Sequence, residues 1–352
     1  MKFGFFRTLL WIVSVGVVVF FCSVLFGDVL LARLSTVSIV KKYHLLEPSA
    51  PLVINTREEV RVNEANDIIA AINKNQEKVA AVVTGSGTGT VLRGAALASV
   101  SDGLWLTTKA VVAGVKPADL AVVQSSGKRL PVSAVTLDTV SNLVLLRTDA
   151  KGLNVSAFRE FKAAATGERV VLLGAQVDGA IYFLTSYISA QEKFSGAVVA
   201  SEAPSRSLLL QTVAGLMPGQ IAFDFSGQVT GVYDGQSLVP ASVAQEFVAN
   251  ILANQGKLVR PYFGFSYTLT PEKGLVVTKR EAVAVAAGSP AARAGLVEGD
   301  VITKIGQQSV LGTTPPDMIL QAVPVNAPIL LTVMRQNKEI EVSVTPIPQK
   351  AQ

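Results

Sequence analysis

The sequence predicts a mostly β protein of two globular domains behind an N-terminal transmembrane helix. Three observations carry the prediction. Residues 8–27, TLLWIVSVGVVVFFCSVLFG, hold no charge. From residue 79 to about 239, short Val/Leu/Ile runs alternate with Gly, Ser, Asp and Asn, as in KVAAVVTG, NLVLLRTD and ERVVLLG. Strands this short and regular indicate a β-barrel or sandwich. A last unit from about residue 260 mixes strand-like runs with two short helical stretches and has the size of a small domain.

Composition narrows the function classes. A chain of 352 residues has room for two domains, and with 49% hydrophobic and 16% charged residues it is not disordered. The formal net charge of +5 is scattered rather than gathered into a basic block with interleaved aromatics, which argues against a nucleic-acid partner. The single cysteine, Cys22, allows neither an intramolecular disulfide nor a thiolate metal cluster. There is also a single histidine, His44. No metal or other cofactor is expected.

Taken in order, residues 8–27 are long enough, at about 1.5 Å per residue, for a hydrocarbon core of about 30 Å. No A-x-A cleavage site follows, so the segment reads as a retained anchor that meets membrane lipid rather than as a signal peptide. Lys2 and Arg7 before it balance Arg33, Lys41 and Lys42 after it, so charge alone does not orient it. Residues 28–77 read as a linker. Within it, residues 64–78 carry Ile68, Ile69 and Ile72 on one side of an amphipathic helix. GSGTGT at 85–90 lacks the Lys-Ser/Thr ending of a phosphate loop and reads as a turn between strands. PASVAQEFVANILANQG at 240–256 places Val243, Phe247, Val248 and Ile251 at helical spacing, with Gly256 set to cap the helix.

These pieces, in this order, resemble the HtrA (Deg) family, in which a trypsin-like double β-barrel is joined to a C-terminal PDZ domain. The most specific match is GSPAARAGLVEGDVITKIGQQSV at 288–310, which is similar to the PDZ segment where a helix turns through Gly295 and Gly299 into a strand. GAALASVSDGLWLTTKAVV at 94–112, LDTVSNLVLLRTDAKGL at 137–153 and LLLQTVAGLMPGQ at 208–220 resemble the stretches around the family's histidine, aspartate and nucleophile. The resemblance implies residues 1–7 cytoplasmic, 8–27 in the membrane, 78–258 as the trypsin-like domain and 259–348 as the PDZ domain. It also implies an extracytoplasmic bulk and a possible homotrimer or an assembly with an active paralogue.

The chemistry does not follow the resemblance. Acyl transfer of this type needs a nucleophilic hydroxyl, a base, a carboxylate that orients the base, and free amides for the oxyanion. The histidine position falls on Ala110, the aspartate position on Asn142 and the serine position on Ile221. His44, beside the membrane segment, is no substitute. A Ser–Lys pair such as Ser226 with Lys109 is the alternative through which the chain remains an endopeptidase with a rearranged site. The first expectation is a membrane-anchored pseudoprotease serving as scaffold or regulator in envelope protein quality control.

The resemblance also implies a peptide groove. A PDZ domain pairs a C-terminal peptide with a strand edge and holds its carboxylate on a loop of backbone N–H groups. Tyr262, Phe263, Gly264 and Phe265 occupy that loop. Phe263 and Phe265 either line the pocket for the last apolar side chain or belong to the core. Met318 or Ile319 of the facing helix points into the groove. The partners would be C-terminal peptides of envelope or misfolded proteins.

Overall fold

The computed structural model describes residues 10–23, 64–138, 140–160, 163–193, 198–203, 206–270, 272–312 and 314–349. Two units separate, 1–61 and 62–352. In the first, residues 10–23 form helix α1, exposed throughout. Among the described residues, no helix is long and apolar enough to cross a membrane. The remainder of the predicted span, at 8–9 and 24–27, and His44 lie outside the described residues.

The second unit opens with helix α2 (Glu64–Asn75). The sequence assigned this helix to the linker, but it is fastened to the barrels. Ile68 and Ile72, four residues apart, pack on the core, whereas Ile69 turns outward and is 54% exposed. Asn75 donates to Gly227 O at 3.1 Å and accepts from Ser156 Oγ at 2.8 Å.

The first sheet holds β1 (Val79–Thr84), β2 (Val91–Val100), β3 (Leu104–Thr108), β4 (Leu120–Gln124), β5 (Arg129–Pro131), β6 (Ala134–Leu137) and β7 (Leu143–Arg147). Their order is β5-β4-β1-β2-β3-β7-β6. The two end strands, β5 and β6, are joined by Val132 and Ser133 alone, so the sheet must roll until its edges meet. Val132 N accordingly donates to Leu120 O on one side, and Ser133 N to Arg147 O on the other. The turn at 85–90 is, as read from the sequence, a short connection between β1 and β2.

The second barrel is closed, in the order β11-β14-β13-β12-β8-β9. It comprises β8 (Arg169–Ala175), β9 (Ile181–Lys193), β11 (Arg206–Leu210), β12 (Ile221–Phe223), β13 (Val229–Tyr233) and β14 (Leu238–Pro240). Strand β10 (Val198–Ala200) lies between β9 and β11 in sequence but leaves the barrel.

The unbroken apolar runs of the sequence follow from burial on both faces. Val170 and Leu172 fill the second barrel, while Val171 and Leu173 join a separate cluster between the barrels. Trp105 enters the first barrel's core, whereas its neighbours Leu104 and Leu106 enter the inter-barrel cluster. With a side-chain period of two, a strand apolar on both sides shows no alternation. Between Lys109 and Val112 a one-turn helix, α3, follows β3. Helix α4 (Ala241–Ala253) closes the inter-barrel cluster with Val243, Phe247, Val248 and Ile251. Gly256, at φ +88°, donates its N–H to Ile251 O at 2.8 Å, the predicted cap.

The last domain is a sheet of β16 (Ser266–Thr270), β17 (Gly274–Val277), β18 (Val301–Ile305), β20 (Ile329–Arg335) and β21 (Lys338–Val344), with β19 (Gln308–Ser309) beside β18. A small pair, β15 (Pro261–Tyr262) and β22 (Ile347–Pro348), ties its two ends together. Helices α5 (Pro290–Arg293) and α6 (Pro316–Gln321) cover it. Ser289 Oγ caps α5 by accepting from Ala292 N at 3.1 Å. Gly295 and Gly299, at φ +80° and +87°, turn the chain into β18. One edge strand of the sheet is β10: the stretch that the sequence placed inside the trypsin-like domain pairs with β16.

Candidate functional site

The three positions that the sequence resemblance assigns to a triad, Ala110, Asn142 and Ile221, lie in regions that converge where the barrels meet. Ala110 is exposed on α3. Its neighbour Lys109 donates its N–H to Asn142 O at 2.8 Å, so the first two positions are adjacent. Asn142 is exposed, at φ +59°, and its Nδ2 donates to Asp234 Oδ2 at 3.4 Å. The approach to the third position, Pro218–Gly219, lies against β2: Ala95 N donates to Pro218 O at 3.4 Å. Gly219 is at φ +83°, and a Cβ there would meet Ala95 O.

Ile221 opens strand β12, is fully buried, and pairs with Leu173 on one side and Val232 on the other. The amides beside it are engaged: Gly219 N donates to Tyr233 O at 2.7 Å, and Gln220 N to Met217 O at 3.3 Å. Donors already satisfied by carbonyls are not aimed at a developing oxyanion. Ser226, the hydroxyl of the alternative reading, donates to Asp224 Oδ1 at 2.7 Å, and its carbonyl accepts from Lys74 rather than from Lys109. Its hydroxyl therefore faces a carboxylate.

The groove is built from residue 260 onward. Arg260 precedes β15, and Tyr262 pairs with Ile347. Gly264 is at φ +79°, where a Cβ would collide with the Ser289 side chain. The N–H groups of Phe263 and Gly264 here converge on one point. The outer side of the loop is fixed by Ala291 N donating to Phe263 O at 3.0 Å and Ala286 N to Gly264 O at 2.8 Å.

At that point sits a carboxylate from the same chain. Glu202 Oε1 accepts from Phe263 N at 3.2 Å and Gly264 N at 2.8 Å. Phe265 N donates to Ser201 Oγ at 3.3 Å, and Ser201 N donates to Phe265 O at 2.9 Å. Ser201 is fully buried and Glu202 is 8% exposed. Tyr262 feels both: burial first, then the Glu202 charge, raises its phenol above the ordinary range.

Phe263 and Phe265 are core residues, no more than 2% exposed, edge to face at 6.2 Å. Ile319 joins them in the same cluster, which also takes in Val199 of β10. Met318 turns the other way. It lines a cavity of 410 Å³ between α4 and α6, together with Phe247, Leu258 and Arg260. Adjacent positions on a helix point about 100° apart, so only one of the pair can face the sheet. Sequence reasoning missed Ser201, Glu202 and Gln321, whose Nε2 donates to Glu202 O at 3.3 Å. A carboxylate in an apolar-flanked AVVASEAPS stretch was the available signal, but nothing local said which domain it would reach.

Fold and site together define a trypsin-like pair of β-barrels joined to a PDZ domain. A family model described as a PDZ domain matches residues 281–335. HhoB of Synechocystis sp. is 28% identical over 75% of this chain and 67% of its own length. The serine endoprotease DegS of Haemophilus influenzae is 23% identical over 69% of this chain and 73% of its own. Among solved structures, the HtrA-type protease AlgW with a decapeptide superposes with a TM-score of 0.60 at 18% identity, covering 81% of this chain and 99% of that one. The chain is similar over most of its length to HtrA/DegS-like serine proteases, and its last domain matches the PDZ family.

Proposed function

We propose that this chain is a membrane-anchored HtrA-like pseudoprotease, a scaffold or regulator in envelope protein quality control that binds protein C-termini through its PDZ domain. The observation that supports it is Ile221, an aliphatic side chain wholly buried in a paired strand, at the position to which the sequence resemblance assigns the nucleophile. Ala110 and Asn142 supply neither base nor orienting carboxylate. The uncharged run at 8–27 supports the anchor, and the extracytoplasmic placement and a homotrimer or mixed assembly with an active paralogue follow from family likeness. The groove supports peptide binding because two backbone N–H groups, of Phe263 and Gly264, converge on a carboxylate.

The relatives' names favour a second reading, an endopeptidase with a rearranged site. Fluorophosphonate labelling and casein cleavage, with and without C-terminal peptides, separate the two. The pseudoprotease gives neither signal while binding peptide. A specific labelled serine overturns it.

A further inference from the structure

The PDZ groove already contains a strand, and its register is that of a ligand. β10 pairs antiparallel with β16, with Val198 opposite Thr268, Val199 opposite Tyr267 and Ala200 opposite Ser266. Successive side chains alternate, so Val199 and Ser201 face inward, both buried, while Val198 and Ala200 are half-exposed. Ser201 holds the place of a peptide's last residue, its N–H on Phe265 O. A true terminus would then present its α-carboxylate to the N–H groups of Phe263 and Gly264.

This chain does not end there. Ala203 N donates to Ala200 O at 3.0 Å, a tight turn that carries the main chain out of the groove. The turn leaves the Glu202 side chain behind, and its Oε1 takes the two N–H groups. Gln321 Nε2, from α6, reaches Ser201 O at 3.4 Å and Glu202 O at 3.3 Å and holds the turn against the helix. Burying an ionised carboxylate is costly unless its oxygens find donors. Glu202 finds two main-chain N–H groups and the Ser201 hydroxyl, at 2.6 Å.

We propose that residues 198–202 are an internal ligand of the PDZ groove, with the Glu202 side chain standing in for a terminal carboxylate, and that a C-terminal peptide enters by displacing it. The proposal rests on the reading of this domain as a binder of C-terminal peptides. It also names the peptide class: a free terminal carboxylate, a small last residue in the place of Ser201, and an aliphatic residue two positions earlier in the place of Val199.

The test uses the full chain in mild detergent and a fluorescein-labelled peptide ending Val-Val-Ala-Ser with a free carboxylate. The internal strand competes with the probe, so weakening it tightens binding. Glu202→Ala is expected to tighten the probe about tenfold, which is about 1.4 kcal/mol, and the amidated probe is expected to bind neither protein. Equal affinity of wild type and variant overturns the internal ligand while leaving peptide binding intact. Failure of both proteins to bind the free-carboxylate probe overturns the peptide-binding reading and the proposal with it. A second variant guards against misfolding: Val198→Cys with Thr268→Cys, in a Cys22→Ser background, staples the strand across a directly opposed pair. Loss of probe binding when oxidised and recovery on reduction supports the proposal. Binding that persists when oxidised, or a disulfide that fails to form, overturns it.

Discussion

Arg260 grips Asp138 with two nitrogens across the junction between the barrels and the PDZ domain. Nε donates to Oδ1 at 3.2 Å and Nη2 to Oδ2. Asp138 is 1% exposed and Arg260 8%. The carboxylate also accepts from the N–H groups of Val140 and Ser141, at 3.1 and 3.3 Å. Arg260 extends the other way, donating Nη1 to Gln321 Oε1 at 2.8 Å. One run of contacts thus connects the turn before Asn142 to the residue that clamps Ser201 and Glu202.

Breaking that pair leaves a buried charge uncompensated, a loss of about 3 kcal/mol or more. Arg260→Ala and Asp138→Asn are each expected to lower stability on that scale in urea unfolding. The double variant is expected to lose less than the sum, because the two losses are one interaction counted twice. Additive losses would mean the pair contributes nothing of its own.

Gly264→Ala tests the loop. A Cβ at φ +79° is strained by about 1 kcal/mol or more, and here it would also strike Ser289. Weakened binding of carboxylate-ended peptides, with a modest fall in melting temperature, is the expected pair of results. Full retention of peptide affinity would remove the loop from the site.

Installing a triad at the three assigned positions is expected to create no activity. The triple variant Ala110→His, Asn142→Asp, Ile221→Ser places a hydroxyl inside a closed strand ladder. It loses the Ile221 packing and buries a polar group, together about 3 kcal/mol or more of stability. Gly219 N would still donate to Tyr233 O. No fluorophosphonate labelling is expected in mass spectra of the intact protein; labelling at residue 221 would show that the backbone there can form an oxyanion site.

The Tyr262 phenol reports on the groove. Its ionisation is raised by burial first and by the negative charge of Glu202 second. A raised folded-state value means that its contribution to stability is complete below the unfolded value of about 10 and is lost as pH climbs through the folded one. Glu202→Gln removes the charge, so Tyr262 should ionise at lower pH than in wild type, read by phenolate absorbance against a Tyr262→Phe control. An unmoved titration would place Glu202 away from the loop in solution.

Much of this was legible in the residues themselves. Gly264, Gly295 and Gly299 required left-handed turns, and each has one. The spacing of Val243, Phe247, Val248 and Ile251 gave a helix with one buried face. Other elements were misassigned for identifiable reasons. The helix at 64–75 looked like linker because the partners of its Asn75 side chain lie 81 and 152 residues on, and its two isoleucines pack on a core gathered from both barrels. Phe263 and Phe265 were ambiguous because a pocket wall and a core draw on the same aromatic chemistry.

By itself the sequence determined the two-domain β architecture and the glycine-dependent turns, because periodicity and left-handed backbone are local properties. Only the tertiary structure decided that Val198–Ala200 pairs with β16 rather than with a barrel strand, that Glu202 reaches the amides of Phe263 and Gly264, and that Asp138 meets Arg260. A short apolar run will pair with any open strand edge, and a carboxylate will accept from any converging donors. Which edge and which donors lie within reach is fixed by how the whole chain closes.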